Sequence, residues 1–166
     1  MGGRQLAPES WLPFFERLEH TAIGTAVRES IWAFPIIEAV HLLGLGLLGG
    51  AVLLADLRLL GTGLTRQPIA NVVRHARPWL VAGVALMFLT GIPLFLSEAV
   101  KCYYNTSFWV KMISLPVALA FTFAARKRVV AAAPARANWR TRLIAVISLG
   151  LWFTVAAAGR WIGFSA

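Results

Sequence analysis

Cysteine is almost missing from the 166 residues: Cys102 stands alone. An intrachain disulfide, a Cys-x-x-Cys redox pair and a Cys-x-x-Cys-His site for covalent haem are therefore all excluded. Charge is scarce too. Charged residues make up 14% of the chain, against ~25% in ordinary globular proteins. Acids are scarcest, with 7 Asp+Glu beside 16 Lys+Arg and a net charge of +9. In a soluble domain such a balance would suggest nucleic acid. A duplex reader, however, needs a polar surface to carry its basic patch, and 58% of this chain is apolar. Nucleic acid is excluded as a partner on that ground. The first residues, Met1-Gly-Gly-Arg-Gln-Leu, lack the apolar run of a cleaved signal peptide. The first hydrophobic helix is thus expected to act as its own insertion signal.

What is present is long apolar runs. Four stretches suit a crossing of ~20 residues: 31–55, 79–97, 108–125 and 143–164. Barrel strands would instead show short alternating segments. The expected fold class is all-α, an integral membrane four-helix bundle over residues 31–166, whose first partner is the lipid bilayer. Residues 1–30 form a separate N-terminal segment. Within it, Trp11, Leu12, Phe14, Phe15 and Leu18 interleave with Glu16, Arg17 and Glu19. This pattern predicts a short interfacial amphipathic helix with Ser10 as its N-cap.

The basic residues set an orientation. The first loop holds Arg58, Arg66, Arg74 and Arg77, and the third holds Arg126, Lys127, Arg128, Arg136, Arg140 and Arg142, against Asp56 as the single acid. The positive-inside rule places both loops in the cytoplasm and both termini outside the bacterial inner membrane. Trp32, Trp109 and Trp161 then fall at the outer boundary. Gly46 and Gly50 form a Gly-x-x-x-Gly pair that would let helices approach closely, or make room for a flat cofactor. Pro68 is placed to open a helix that runs through His75 into the second span.

Four ionisable residues remain inside the spans: Glu38, His41, Lys111 and Arg160. Each costs at least ~2.5–3.5 kcal/mol at the bilayer centre, which makes it a functional candidate. Glu38 lies roughly 10 Å below the outer end of its helix and His41 roughly 15 Å. Lys111 and Arg160 occupy the outer third of theirs. One reading is a buried Glu38–Arg160 or Glu38–Lys111 ion pair that fixes helix register. The other is a polar cluster that binds a cofactor's carboxylates or handles protons. Glu-x-x-His is also the di-iron spacing, but the second pair and the further acids are lacking. A neutral imidazole at this depth suits an axial ligand of haem b or a proton relay. Lys111 and Arg160 would then face the propionates. His75 is too far along the helices to share an iron with His41, and His20 lies in the amphipathic segment. Met87 or Met112 could supply a thioether ligand, and so could a partner subunit. Clustered soft ligands, as a copper path would need, are absent.

The run His41-Leu-Leu-Gly-Leu-Gly, the segment Asp56-Leu-Arg-Leu-Leu-Gly61, Leu89-Thr-Gly91 and Asn105-Thr-Ser-Phe-Trp-Val-Lys111 resemble a family of small bacterial integral-membrane proteins of unknown function, over about residues 30–130. More distantly, Thr90-Gly91, Asn105, Phe108, Lys111 and Arg126-Lys-Arg128 are similar to the membrane domain of copper-resistance protein D and to HemJ-type protoporphyrinogen oxidases. The oxidase resemblance implies a haem b site on a first-span His and a third-span Lys, which map onto His41 and Lys111. The copper relatives' additional spans are missing here.

Three functions follow as expectations. The first is a haem-b or quinone-linked electron-transfer protein with His41 as axial ligand and metal site. The second is a transport or metal-handling protein using Glu38, His41 and Arg160, which in so small a bundle would require a homo-oligomer. The third is a non-catalytic membrane anchor, whose amphipathic segment and outer loop 101–107 would be covered by a protein partner.

Overall fold

The computed structural model describes residues 8–126, 130 and 136–164. Lys127 and Arg128 of the expected basic loop lie outside the described residues.

The described chain is helical. A single 3-10 turn, Glu9–Trp11, leads into α1 (Leu12–Glu19), followed by α2 (Ala22–Glu29). The four long helices are α3 (Ala33–Leu60), α4 (Ile69–Ser97), α6 (Thr106–Ala120) and α7 (Trp139–Ile162), with the short α5 (Ala99–Tyr104) between α4 and α6. All four are long and apolar enough to cross a membrane, counting the π-helical turn Phe121–Ala125 that extends α6. At 28 residues α3 is about 42 Å long, longer than a ~30 Å hydrocarbon core. The excess is accommodated by tilt or by extension beyond the apolar layer.

Local chemistry sets the ends. Ser30 Oγ accepts the amide of Ala33 at 3.1 Å and so opens α3. Gly61 closes α3 in the left-handed region, φ 85°, where its lack of Cβ removes the steric cost. Pro68 directly precedes α4, as expected, because it needs no amide partner there. Asn105 Oδ1 accepts from Ser107 N at 2.9 Å at the start of α6. Asn138 and Thr141 exchange hydrogen bonds of 3.0 Å in a capping box on α7.

The helices pack in the order α4–α3–α7–α6, with little direct backbone approach between α4 and α6. The central core is Leu48, Ala51 and Val52 of α3, Leu80 of α4, Ala118 of α6, and Trp152 and Val155 of α7. Inside it, the Trp152 indole donates to Thr122 Oγ1 at 3.0 Å, so its one polar atom is satisfied. The expected Gly46–Gly50 contact does not form. A Cβ at Gly46, Gly49 or Gly50 would meet nothing within 4 Å. The close approach comes instead at Gly83, where a Cβ would lie 2.9 Å from the Cα, Cβ and N of Leu48. Gly44 faces Leu86 at 3.2 Å in the same seam.

The N-terminal segment also departs from expectation. It is two helices, not one, and Ser10 lies inside the opening turn without acting as a cap. The α2 cap is Thr21, whose hydroxyl accepts from Gly24 N at 3.3 Å. Both helices dock on the end of the bundle where α3 begins. Phe15 is buried among Phe95, Tyr103, Phe108 and Trp109, with ring centroids 5.3–6.4 Å away. Glu19 Oε2 accepts the Val100 amide at 2.7 Å, which satisfies a free donor at the start of α5, and Glu19 Oε1 pairs with Arg28 at 3.3 Å. The Tyr103 hydroxyl donates to Pro8 O at 3.1 Å. Phe15 of the apolar face thus packs on α4, α5 and α6, while Trp11 and Phe14 stay exposed, as an interfacial helix leaves them. The amphipathic pattern is the same for either partner.

Candidate functional site

His41 lies on α3 about 12 Å from its start, facing α4. Its Nδ1 is 2.7 Å from Thr90 Oγ1. The Thr90 hydroxyl has one proton, and donates it to Leu86 O at 2.6 Å. With that proton on Leu86 O, Thr90 Oγ1 accepts from the imidazole in the Nδ1–H tautomer, in which Nε2 carries the lone pair. Gly91 sits beside the ring, where a Cβ would be 3.2 Å from Cε1. Any side chain at that position would displace the imidazole.

Lys111 enters from α6. Its stem and amine lie over Gly159 of α7, whose Cβ would be 3.5 Å from Nζ. Among the described residues no carboxylate pairs with it. His41 thus meets Thr90 and Gly91 of α4, and Lys111 meets Gly159 of α7, in the terminal half of the bundle.

The other sequence candidates lie elsewhere. Glu38 is exposed and makes no ion pair, so the expected Glu38–Arg160 or Glu38–Lys111 bridge is not formed. Three helical residues turn through about 300° and leave a 60° offset, enough to rotate Glu38 off the interior face that holds His41. Arg160 is exposed as well, its guanidinium 4.4 Å from the centroid of the Phe164 ring. Met87 is half-buried against the central core, about one turn from Thr90. Met112 is exposed. His75 and His20 are exposed, His75 Nδ1 lying 2.7 Å from Asn71 O. No group of three or more His, Cys, Asp or Glu side chains that could hold a metal ion occurs among the described residues.

A second polar cluster, at the opposite end, was not singled out by the sequence. Arg126 is not a solvated loop residue. It is 3% exposed, with Nη1 3.3 Å from Oδ1 of the fully buried Asp56, and the Ser148 hydroxyl faces the same carboxylate. Arg58 is likewise buried, donating from Nε to Gln67 O at 2.6 Å, and so pins the loop after α3. The Asp-Leu-Arg-Leu-Leu-Gly segment therefore works as a unit: Asp56 reaches α6 and α7, Arg58 holds the loop, and Gly61 ends the helix.

A family profile matches residues 14–165, nearly the whole chain and both polar clusters. The chain belongs to a family of unknown function, DUF6644. No curated protein and no solved structure matches it. In this family member the match begins at Phe14, beside the ring that seats the N-terminal helices, so the cap falls within the matched region as well.

Cys102 is buried in α5 beneath that cap. Burial, with Glu98 nearby, pushes its thiol up to about 12. A raised value keeps the neutral thiol dominant throughout the physiological range, and thiolate forms only as the pH approaches that value. Iodoacetamide at pH 8 is expected to leave Cys102 unmodified in the folded protein and to alkylate it after denaturation. Equal rates in the two states, read by mass spectrometry, would contradict this burial.

Proposed function

We propose that this membrane protein is a haem-b electron-transfer protein of the bacterial inner membrane, linked to the quinone pool, with His41 as an axial ligand. The proposed orientation puts the basic α3–α4 end in the cytoplasm and both termini outside, on the strength of the positive-inside rule. The observation that carries the redox reading is the Leu86–Thr90–His41 hydrogen-bond chain. A ligating imidazole needs its second nitrogen protonated and fixed, and Thr90 supports that state.

The donor set fits a haem. His41 offers Nε2, and Lys111 offers an amine without a carboxylate partner among the described residues. Gly91 and Gly159 place no side chain next to either group. The resemblance to HemJ-type oxidases pairs the same two positions. When bound, haem supplies one-electron chemistry. The protein's own part is to hold the imidazole plane through Thr90, to offer positive charge at Lys111, and to exclude water with the core beneath and the aromatic cap above. Arg160, at the rim, adds a cation for a carboxylate of the cofactor. The anchoring alternative would use the amphipathic segment and the outer loop 101–107, which pack on each other through Phe15 and Tyr103 and leave Trp11, Phe14 and Tyr104 exposed.

The test is an absorption spectrum of protein purified from a haem-replete host, oxidised and dithionite-reduced. A reduced b-type band is expected, lost in His41→Ala and shifted or diminished in Thr90→Val. A colourless wild-type protein would overturn the reading.

A further inference from the structure

Asp56, Arg126 and Ser148 raise a separate question. Their side chains are 97% or more buried, yet Asp56 Oδ1 and Oδ2, Arg126 Nε and Nη1, and Ser148 Oγ make no hydrogen bond of good geometry, only their loose mutual contacts. The 3.3 Å contact between Nη1 and Oδ1 is thus a charge contact and not the parallel fork that Arg and carboxylate usually form. Five buried polar atoms without well-formed hydrogen bonds around one point are costly, the charged ones most of all.

The surroundings seal the point on both sides. Along α3, Asp56 sits between Val52 of the central core and Leu59 of a second apolar cluster. Along α7, Ser148 sits between Trp152 and Ala145 of the same two clusters. Arg126 lies between Ala118 and Val130 in the same way. Bulk solvent is excluded, so anything that satisfies these atoms is a discrete bound species.

Chemistry selects that species. A cation would satisfy Asp56 and oppose Arg126, and an anion would do the reverse. Water donates two hydrogens to the carboxylate or the serine and accepts two from the guanidinium. We propose that Asp56, Arg126 and Ser148 form a binding site for internal water, one or two molecules bridging the carboxylate and the guanidinium at the basic end of the bundle. Buried waters of this kind make about three hydrogen bonds to groups otherwise unsatisfied.

A crystallographic or cryo-EM map that resolves ordered solvent tests the site directly. Density is expected at ~2.7–3.2 Å from both Asp56 and Arg126. Water-edited solid-state NMR gives a second readout: the Arg126 Nε resonance, assigned by its loss in Arg126→Lys, should receive magnetisation from water. In Ser148→Val, which removes one partner and fills its space, that transfer should be lost while the spectrum of the spans is retained. A dry site, with Arg126 closed directly on both carboxylate oxygens and no transfer from water in the wild type, would overturn the proposal. So would density with the coordination of a metal cation or a polyatomic anion.

Discussion

Arg126→Met is expected to lose about 3–5 kcal/mol of unfolding free energy, because it leaves the Asp56 carboxylate buried without its cation. Asp56→Leu should cost a similar amount for the mirror reason. The double variant Asp56→Leu/Arg126→Met should recover most of either loss, since two apolar side chains of similar size need no counter-charge. Reversible unfolding in mixed micelles, with all four proteins measured together, reads the coupling between the two positions. Losses that simply add would show that the pair is not an interacting unit. The contrast with the sequence reading is large: an arginine in a solvated basic loop would change stability by no more than ~0.5 kcal/mol on substitution.

Phe15→Ala is the second large effect. Its ring touches four aromatic side chains of α4, α5 and α6, and it is 5% exposed. Truncating such a side chain costs about 3–5 kcal/mol, from lost transfer energy and from the cavity left behind. The loss should fall on the docking of α1 and α2 and spare the spans. Hydrogen exchange is the suitable readout, with amides of residues 12–29 and of Val100 exchanging faster while the central core stays protected. Unchanged exchange in the cap would mean that other contacts hold it.

The long helices were legible because hydropathy reports them directly, and the four expected spans coincide with α3, α4, α6 and α7. The start of α4 was legible too: hydropathy rises only near Trp79, but Pro68 marks the helix start at Ile69, and the helix continues past the hydrocarbon with Arg74 and Arg77 on its surface. His41 and Lys111 stood out as charges inside apolar runs, and the structure sets His41 against Thr90 and Gly91 and Lys111 against Gly159. Thr90 was visible only as part of a short Thr-Gly run. Its role depends on a carbonyl one turn earlier and a ring on another helix, and neither leaves a mark in composition.

Asp56 and Arg126 were hidden for a different reason. Counting basic residues in loops registers charge and ignores partners, and these two meet only after α3, α6 and α7 have packed. The amphipathic helix was legible as α1, but its docking through Phe15 was not, because a bilayer surface and the end of a bundle select the same alternation of apolar and charged residues. The glycine pair on α3 shows the same limit in reverse. The spacing is right, but Gly46 and Gly50 face away from the chain's own helices, and the tight seam is made by Gly83.

The Glu19–Val100 hydrogen bond joins residues 81 positions apart, which has a consequence for the order of synthesis. At ~5–20 residues per second, α1 and α2 emerge roughly 4–16 s before α5 exists to receive them. During that interval the apolar faces of Phe14, Phe15 and Trp11 are expected to shelter in the lipid headgroup layer, the location their pattern suggests. The cap would then transfer onto the protein once the second hairpin begins to insert. An arrest-peptide series should register this as a late pulling event once α5 and the start of α6 have left the ribosome, absent in Phe15→Ala. The segment's two readings would thus be successive addresses of one nascent chain.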